Sequence, residues 1–162
     1  MADQTVGPAE FRELCGRFAT GVTIVTAIEP DGSPAGMTAN SFASLSLAPP
    51  LISINVDHTA DFHRTIVVAP AFVVNMLAHD QEALSRRFAG GAPSPDRFAG
   101  IGYRRTERGG AVLSGGIGFI ECEVFKTMAA GDHTLVIGRV VGGETHDGRP
   151  LVYFRGGYHS LS

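Results

Sequence analysis

The apolar runs in this chain are nearly all strand-length, and they end at a glycine, a proline or a polar turn. Val22 to Ile28, Leu51 to Val56, Ala71 to Leu77, Phe119 to Thr127, Thr134 to Val141 and Leu151 to Phe154 are rich in β-branched and aromatic residues. Side chains of that kind fit a pleated, half-buried surface. Pro30, Asp31, Gly32, Ser33 and Pro34 interrupt the first run before the chain resumes at Gly36, which reads as a hairpin. About six strands with no regular strand–helix alternation predict a mainly β fold, a Greek-key or closed barrel and not a doubly wound sheet.

A few short helices complete the pattern. Pro8 is suited to open one, and Phe11, Leu14, Cys15 and Phe18 recur at helical spacing until Gly21 supplies a stop. His58 to Val68 has the spacing of a crossover helix, and Asp80 to Phe88 that of another, with Asp80 as its N-cap. Gly90 to Gly110 is rich in Gly, Pro and Arg with scattered aromatic anchors, so an ordered excursion is expected there and not a domain linker. The 162 residues are therefore expected to form a single domain, 1–162.

Composition removes several function classes. Hydrophobic residues make up 44% and charged residues 18%, against roughly 25% charged in an average soluble protein, which excludes disorder and points to a subunit interface. A net charge of −3 with no basic stripe argues against a nucleic-acid partner. Thr65 to Ala78 is too short for a membrane helix and is broken by Pro70. Met1 to Pro8 lacks the basic segment and apolar core of a secretion signal, and two distant cysteines make no disulfide framework, so a cytoplasmic setting is expected. Cys15 and Cys122 both fall in apolar patterns and read as small core residues.

The least ordinary stretch is Gly36 to Leu47, where Thr38, Asn40, Ser41, Ser44 and Ser46 sit among small apolar residues. Uncharged donors and acceptors in that density suit the polar edge and hydroxyls of an organic ligand better than a metal, although Asn40, Ser41 and Ser44 also favour turns and N-caps. His63, His79, His146 and His159 show no ligand spacing with cysteines or carboxylates, so no metal site is expected. No Gly-x-Gly-x-x-Gly turn joins a strand to a helix, which disfavours a Rossmann cofactor site.

Phe18 to Thr26 and Gly36 to Pro50 resemble the short-chain flavin reductase family, the small NAD(P)H-dependent partners of two-component monooxygenases. The resemblance continues in order through Phe72-Val73-Val74-Asn75, Arg87-Phe88-Ala89-Gly90, Gly131-Asp132-His133 and Leu151 to Tyr158. It implies an FMN-binding split β-barrel working as a homodimer, with flavin near the subunit interface. By the same resemblance, Thr38, Ala39, Asn40 and Ser41 lie against the isoalloxazine and ribityl chain. Asn55, His58, Thr59, Ala60 and Asp61 approach the ribityl and phosphate, and Arg87, Phe88 and Ala89 contact the cofactor. His133 shapes the nicotinamide pocket as the catalytic residue, and Tyr153, Phe154, Arg155 and Gly156 flank the dinucleotide. Relatives often place a Ser and an Arg or Lys where this chain has Thr59 and Asp61, with Arg64 one helical turn later.

The expected activity is hydride transfer from NADH or NADPH to FMN or FAD, with reduced flavin passed to a monooxygenase. Such a reaction asks little of protein acids and bases, since flavin N5 accepts hydride directly and the protein aligns the two rings. The alternative class is a non-catalytic flavin-binding barrel, a sensor or storage module. A pyridoxamine-phosphate oxidase-like enzyme would need a more basic phosphate site than this sequence offers.

Overall fold

The structure is a computed structural model describing residues 6–90 and 94–162. Most of Met1 to Pro8 and the start of the Gly90 to Gly110 stretch lie outside the described residues. The chain runs α1 (Pro8–Cys15), β1 (Thr20–Gly21), β2 (Thr23–Ile28), β3 (Pro34–Ala39), β4 (Ala43–Leu47), β5 (Pro50–Asp57), α2 (His63–Ile66), β6 (Ala71–Met76) and α3 (Glu82–Ala89). There follow α4 (Ser94–Arg97), β7 (Tyr103–Arg105), β8 (Ala111–Leu113), β9 (Gly118–Ala130), β10 (His133–Thr145), β11 (Leu151–Phe154) and β12 (Gly157–Ser160). The mainly β expectation holds.

Seven strands form one antiparallel sheet in the order β3-β2-β6-β9-β10-β5-β4. Its two edge strands, β3 and β4, are consecutive in the chain and joined only by Asn40, Ser41 and Phe42. The sheet therefore curls until its edges face each other across a seam that backbone ladders do not close. β1, β11 and β12 make a three-stranded sheet, and β7 pairs with β8.

Burial follows from what covers each strand. In β2, Val25 and Ala27 face the main core with Ile54, Val56, Phe62, Ile66 and Phe72. Val22 and Ile24, on the other side, pack with Leu77, Phe88, Phe98 and Leu151. The strand is buried on both faces, so its burial does not alternate. In β5 only one face is covered: Ile52, Ile54 and Val56 point inward, while Asn55 and Asp57 take the opposite face, as a period of two requires.

Several expectations need correction. The first helix stops at Cys15, where Gly16 follows, so Phe18 lies in the turn beyond it, its N–H bonded to the Cys15 carbonyl, and is 78% exposed. None of its residues is buried, and Cys15 is exposed instead of being in the core. α2 is one turn because His58 to Phe62 is taken up by side-chain-capped turns. Gln81, not Asp80, is the N-cap residue of α3, and it makes no side-chain cap bond; its amide oxygen accepts from the Ala78 N–H. The expected strands are present, but β1, β4, β7, β8 and β12 are additional, being too short or too exposed to give a strand-length apolar run. Among the described residues no helix is long and apolar enough to cross a membrane.

One buried cation ties the Gly90 to Gly110 excursion to the barrel. Arg97 donates to the carbonyls of Gly36 at 2.9 Å and Gly90 at 2.7 Å, and to Asp61 Oδ1 at 3.2 Å. A buried guanidinium is costly unless paired and hydrogen-bonded; these three partners serve Nη1 and Nη2, while the buried Nε has no partner among the described residues.

Candidate functional site

Antiparallel register brings the site together. Across β5 and β10, His133 stands opposite Asp57 and Leu135 opposite Asn55, all four on the outward face. The end of β3 and the crossing that follows it run alongside. Between them lies a cleft of about 570 Å³ lined by Met37, Thr38, Ala39, Asn40, Ser41, Asn55, Asp57, Asp132, His133 and Leu135, with Phe11 of α1 at its margin. That size is within the usual range for a small-molecule site.

Each polar side chain in the cleft has a distinct state. Thr38 Oγ1 is committed to the Ser85 carbonyl at 2.6 Å. Ser41 Oγ bonds the backbone of Asn55. The side-chain amides of Asn40 and Asn55, by contrast, have no intramolecular partner among the described residues. His133 Nδ1 donates to Asp132 Oδ1 at 2.6 Å, which leaves Nε2 available to a ligand. That hydrogen bond holds the Asp132 carboxyl below the usual carboxylate range. Asp57 is also held low, first by the Thr59 N–H at 2.7 Å and then by the Thr59 hydroxyl at 2.8 Å. Both carboxylates are therefore ionised at neutral pH.

Asn40 also borders two smaller recesses. One, of about 210 Å³, is lined by Val22, Thr38, Ala39, Asn40, Ala89, Tyr153 and Tyr158. The other, of about 190 Å³, is nearly all apolar, with Met76, Leu77, Ile117 and Leu151 among its walls.

The structure thus gathers Thr38, Ala39, Asn40, Ser41, Asn55 and His133 into one cleft. It places Ala89 and Tyr153 in a separate recess that shares only the Thr38 to Asn40 strip. The remaining expected site residues line neither space. His58 Nε2 is at 3.2 Å from Thr134 Oγ1, Thr59 caps Asp57, Ala60 packs on the core, and Asp61 pairs with Arg97. Backbone donors there are spent too: the N–H groups of His58, Thr59, Ala60, Phe62 and His63 all bond within the fold. Arg64 is exposed, at 4.0 Å from Glu29. Arg87 holds the carbonyls of Asp96 and Ala99, and Phe88 is 1% exposed in the core, out of reach of any ligand. Phe154 packs edge-on to His159, and Arg155 and Gly156, both at positive φ, form the exposed tip between β11 and β12.

Asp57, Asp132, Phe11, Met37 and Tyr158 are lining residues that sequence reasoning did not single out. Asp57 and Asp132 were legible in part, since each is a neighbour of a motif residue. Phe11 and Tyr158 depend on tertiary packing. Among the described residues no three His, Cys, Asp or Glu side chains come together to hold a metal ion.

A family described as "Flavin reductase like domain" matches residues 15–162. The chain is 38% identical over 162 residues to the reductase subunit HsaB of a flavin-dependent monooxygenase from Rhodococcus jostii, covering 99% of this chain and 82% of that one. It is 41% identical over 161 residues to an NADH-dependent flavin reductase of a Rhodococcus species, covering 98% and 89%. The solved structure of Streptomyces globisporus NADH:FAD oxidoreductase SgcE6, in complex with NAD and FAD fragments, superposes with a TM-score of 0.90 at 31% identity, covering 98% of this chain and 97% of that one.

Proposed function

The chain belongs to the flavin reductase like domain family, and from that premise we propose that the cleft between the Thr38 to Ser41 strip and His133 is where its reaction takes place. The protein is an NAD(P)H-dependent flavin reductase, transferring hydride from a nicotinamide cofactor to FMN or FAD. Its reduced flavin goes to a monooxygenase component, as the reductase subunits it resembles imply.

The donor set suits a flavin. Two unpartnered amides, Asn40 and Asn55, stand beside the apolar surfaces of Met37, Ala39 and Leu135, which is the combination a planar ring with one polar edge requires. When bound, the flavin supplies the hydride-accepting centre, N5. The protein's part is placement. Asn40 and Asn55 fix the polar edge, Met37 and Leu135 exclude water from the ring, and His133 Nε2 orients the nicotinamide carboxamide. Asp132 holds the His133 ring in the tautomer with Nδ1 protonated. Rate is gained by alignment, with no general acid needed in the cleft.

A homodimer is part of the proposal. Leu45 and Leu47 on β4 are 53% and 96% exposed, and Phe125 and Met128 on β9 are 55% and 50% exposed. Phe11, Leu14 and Phe18 are equally bare, on a helix and its exit that bury nothing on their own chain. So much uncovered apolar surface supports an isologous partner. The two free cysteines support a reducing, cytoplasmic setting.

The observation that carries this function is the free amide pair that lines, together with His133, one cleft of flavin size. It is tested by following NADH and NADPH oxidation with FMN and with FAD. Turnover with either flavin supports it, whereas flavin binding without nicotinamide oxidation would identify a non-catalytic flavin-binding barrel.

A further inference from the structure

The geometry points to Arg97 as a positioning residue for the large cleft: its guanidinium clasps the two walls together at the end away from Ser41, and so sets the width of the space a flavin ring enters. This rests on the assignment of the flavin to that cleft.

The two walls come from different parts of the chain. Met37 to Ser41 supply one, and Asn55 and Asp57 belong to the other. They are joined at Ser41, whose hydroxyl bonds the Asn55 backbone. They are joined again through Arg97, which donates from Nη1 both to the Gly36 carbonyl at 2.9 Å and to Asp61 Oδ1 at 3.2 Å. Gly36 directly precedes Met37 on β3, and Asp61 lies in the turn that follows Asp57. The two links therefore stand at either end of the lining residues. β3 is an edge strand, whose outward carbonyls have no ladder partner, and Arg97 takes up the one at Gly36.

Stability alone does not call for this residue. Arg97 is 4% exposed with its Nε unpartnered, and an apolar side chain of similar length would fill the space at less cost. What an apolar chain cannot do is hold three acceptors in fixed directions from one planar head. The third acceptor is the Gly90 carbonyl beyond α3, at 2.7 Å. α3 grips the same wall at Thr38, whose hydroxyl donates to the Ser85 carbonyl at 2.6 Å. It also grips the segment that carries Arg97, since Arg87 donates to the carbonyls of Asp96 and Ala99 on either side, both at 2.6 Å. One helix thus fixes the strip and the clasp that spans from it.

The test measures riboflavin and FMN binding by wild type, Asp61→Asn, Arg97→Met, the double variant and Val112→Ala. Riboflavin has no phosphate, so its Kd reports the cleft and not a contact between Asp61 and phosphate. Arg97→Met should raise both constants about tenfold, the scale of one lost positioning interaction. Asp61→Asn leaves an acceptor without charge and should raise both about threefold. The double variant should bind no more weakly than Arg97→Met, because both residues act through one clasp. Val112→Ala, in the apolar patch with Val73 and Phe119, should lower Tm and move neither constant. An unchanged riboflavin Kd in Asp61→Asn, which alters a part-exposed side chain and keeps the fold, would overturn the clasp. So would a Val112→Ala protein that loses as much flavin affinity as Arg97→Met at equal loss of Tm. Asn40→Leu separates the two readings: if it weakens flavin while Asp61→Asn does not, the clasp alone is wrong, and if it too is silent the flavin assignment has failed with it.

Discussion

Ser41 is bonded twice to the backbone of Asn55: its hydroxyl accepts from the Asn55 N–H at 3.0 Å and donates to the Asn55 carbonyl at 3.2 Å. In a ladder those two groups would belong to a neighbouring strand. A single side chain here stands in for that strand, joining the end of β3 to β5 across the open seam. It also sets the distance between the two free amides of the cleft, Asn40 and Asn55.

Ser41→Ala should therefore lower stability and flavin affinity together. Loss of the hydroxyl costs about 1 kcal/mol, since water reaches this site and replaces part of the bonding. A fall in Tm of roughly 2–4 °C is expected. Calorimetry and flavin titration check it, and a normal Tm with a normal Kd would show that the seam holds without this contact.

Asn40→Leu should raise the flavin Kd about tenfold, the equivalent of about 1.4 kcal/mol, with little change in Tm. The Asn40 amide has no partner in the fold to lose, and the residue is exposed. Fluorescence titration with FMN and FAD measures the effect. An unchanged Kd would return the Thr38 to Ser41 stretch to a turn-forming role.

His133→Ala should slow flavin reduction by NADH about tenfold through loss of one positioning hydrogen bond, with flavin affinity nearly intact. Stopped-flow reduction across NADH concentrations separates binding from transfer. Asp132→Asn should give a smaller loss in the same step, because an amide holds the imidazole less firmly than a carboxylate.

Asp57 and Asp132 should both titrate below a free aspartate. Their folded values are depressed, so the bonds to Thr59 and His133 are fully present above the ordinary aspartate range and are lost as pH falls through the lower folded values. The cleft should keep its two negative charges throughout the mildly acidic range. Carboxyl carbon NMR titration reads this directly, and a midpoint at or above the free value for either residue would contradict the hydrogen bonding described.

In the isolated protomer one thiol should react and one should not. Cys15 is exposed, whereas burial pushes the Cys122 thiol up to about 12, with the adjacent Glu121 adding to the shift. Mass spectrometry after brief alkylation should show a single adduct at Cys15, and a second one only in denaturant.

The strands were legible wherever packing left a one-dimensional trace. β2 and β6 are buried on both faces and β5 on one, and each announces itself in the sequence by its β-branched residues. β4 does not, because Ala43 to Leu47 has no covered face on its own chain. The polar strip at Thr38 to Ser41 was visible as composition, and His133 through its motif. The separation of His133 from Tyr153 was not visible, nor was the commitment of Asp61 to Arg97, since both follow from how distant strands meet. Thr59 and Asp61 could be read as phosphate ligands only until their partners were known.

The seam between β3 and β4 also bears on how the molecule is made. These strands are neighbours in the chain yet stand at opposite ends of a seven-stranded order, so every other pairing in that order must exist before the edges can face each other. Non-local pairing of this kind carries its loop-closure cost before any reward and is slow. The approach of the two edges at the Asn40 to Phe42 crossing is accordingly expected late in folding. A ligand that spans it draws the whole order together by mass action, so flavin should raise the apparent stability of the folded chain as its free concentration rises above its Kd.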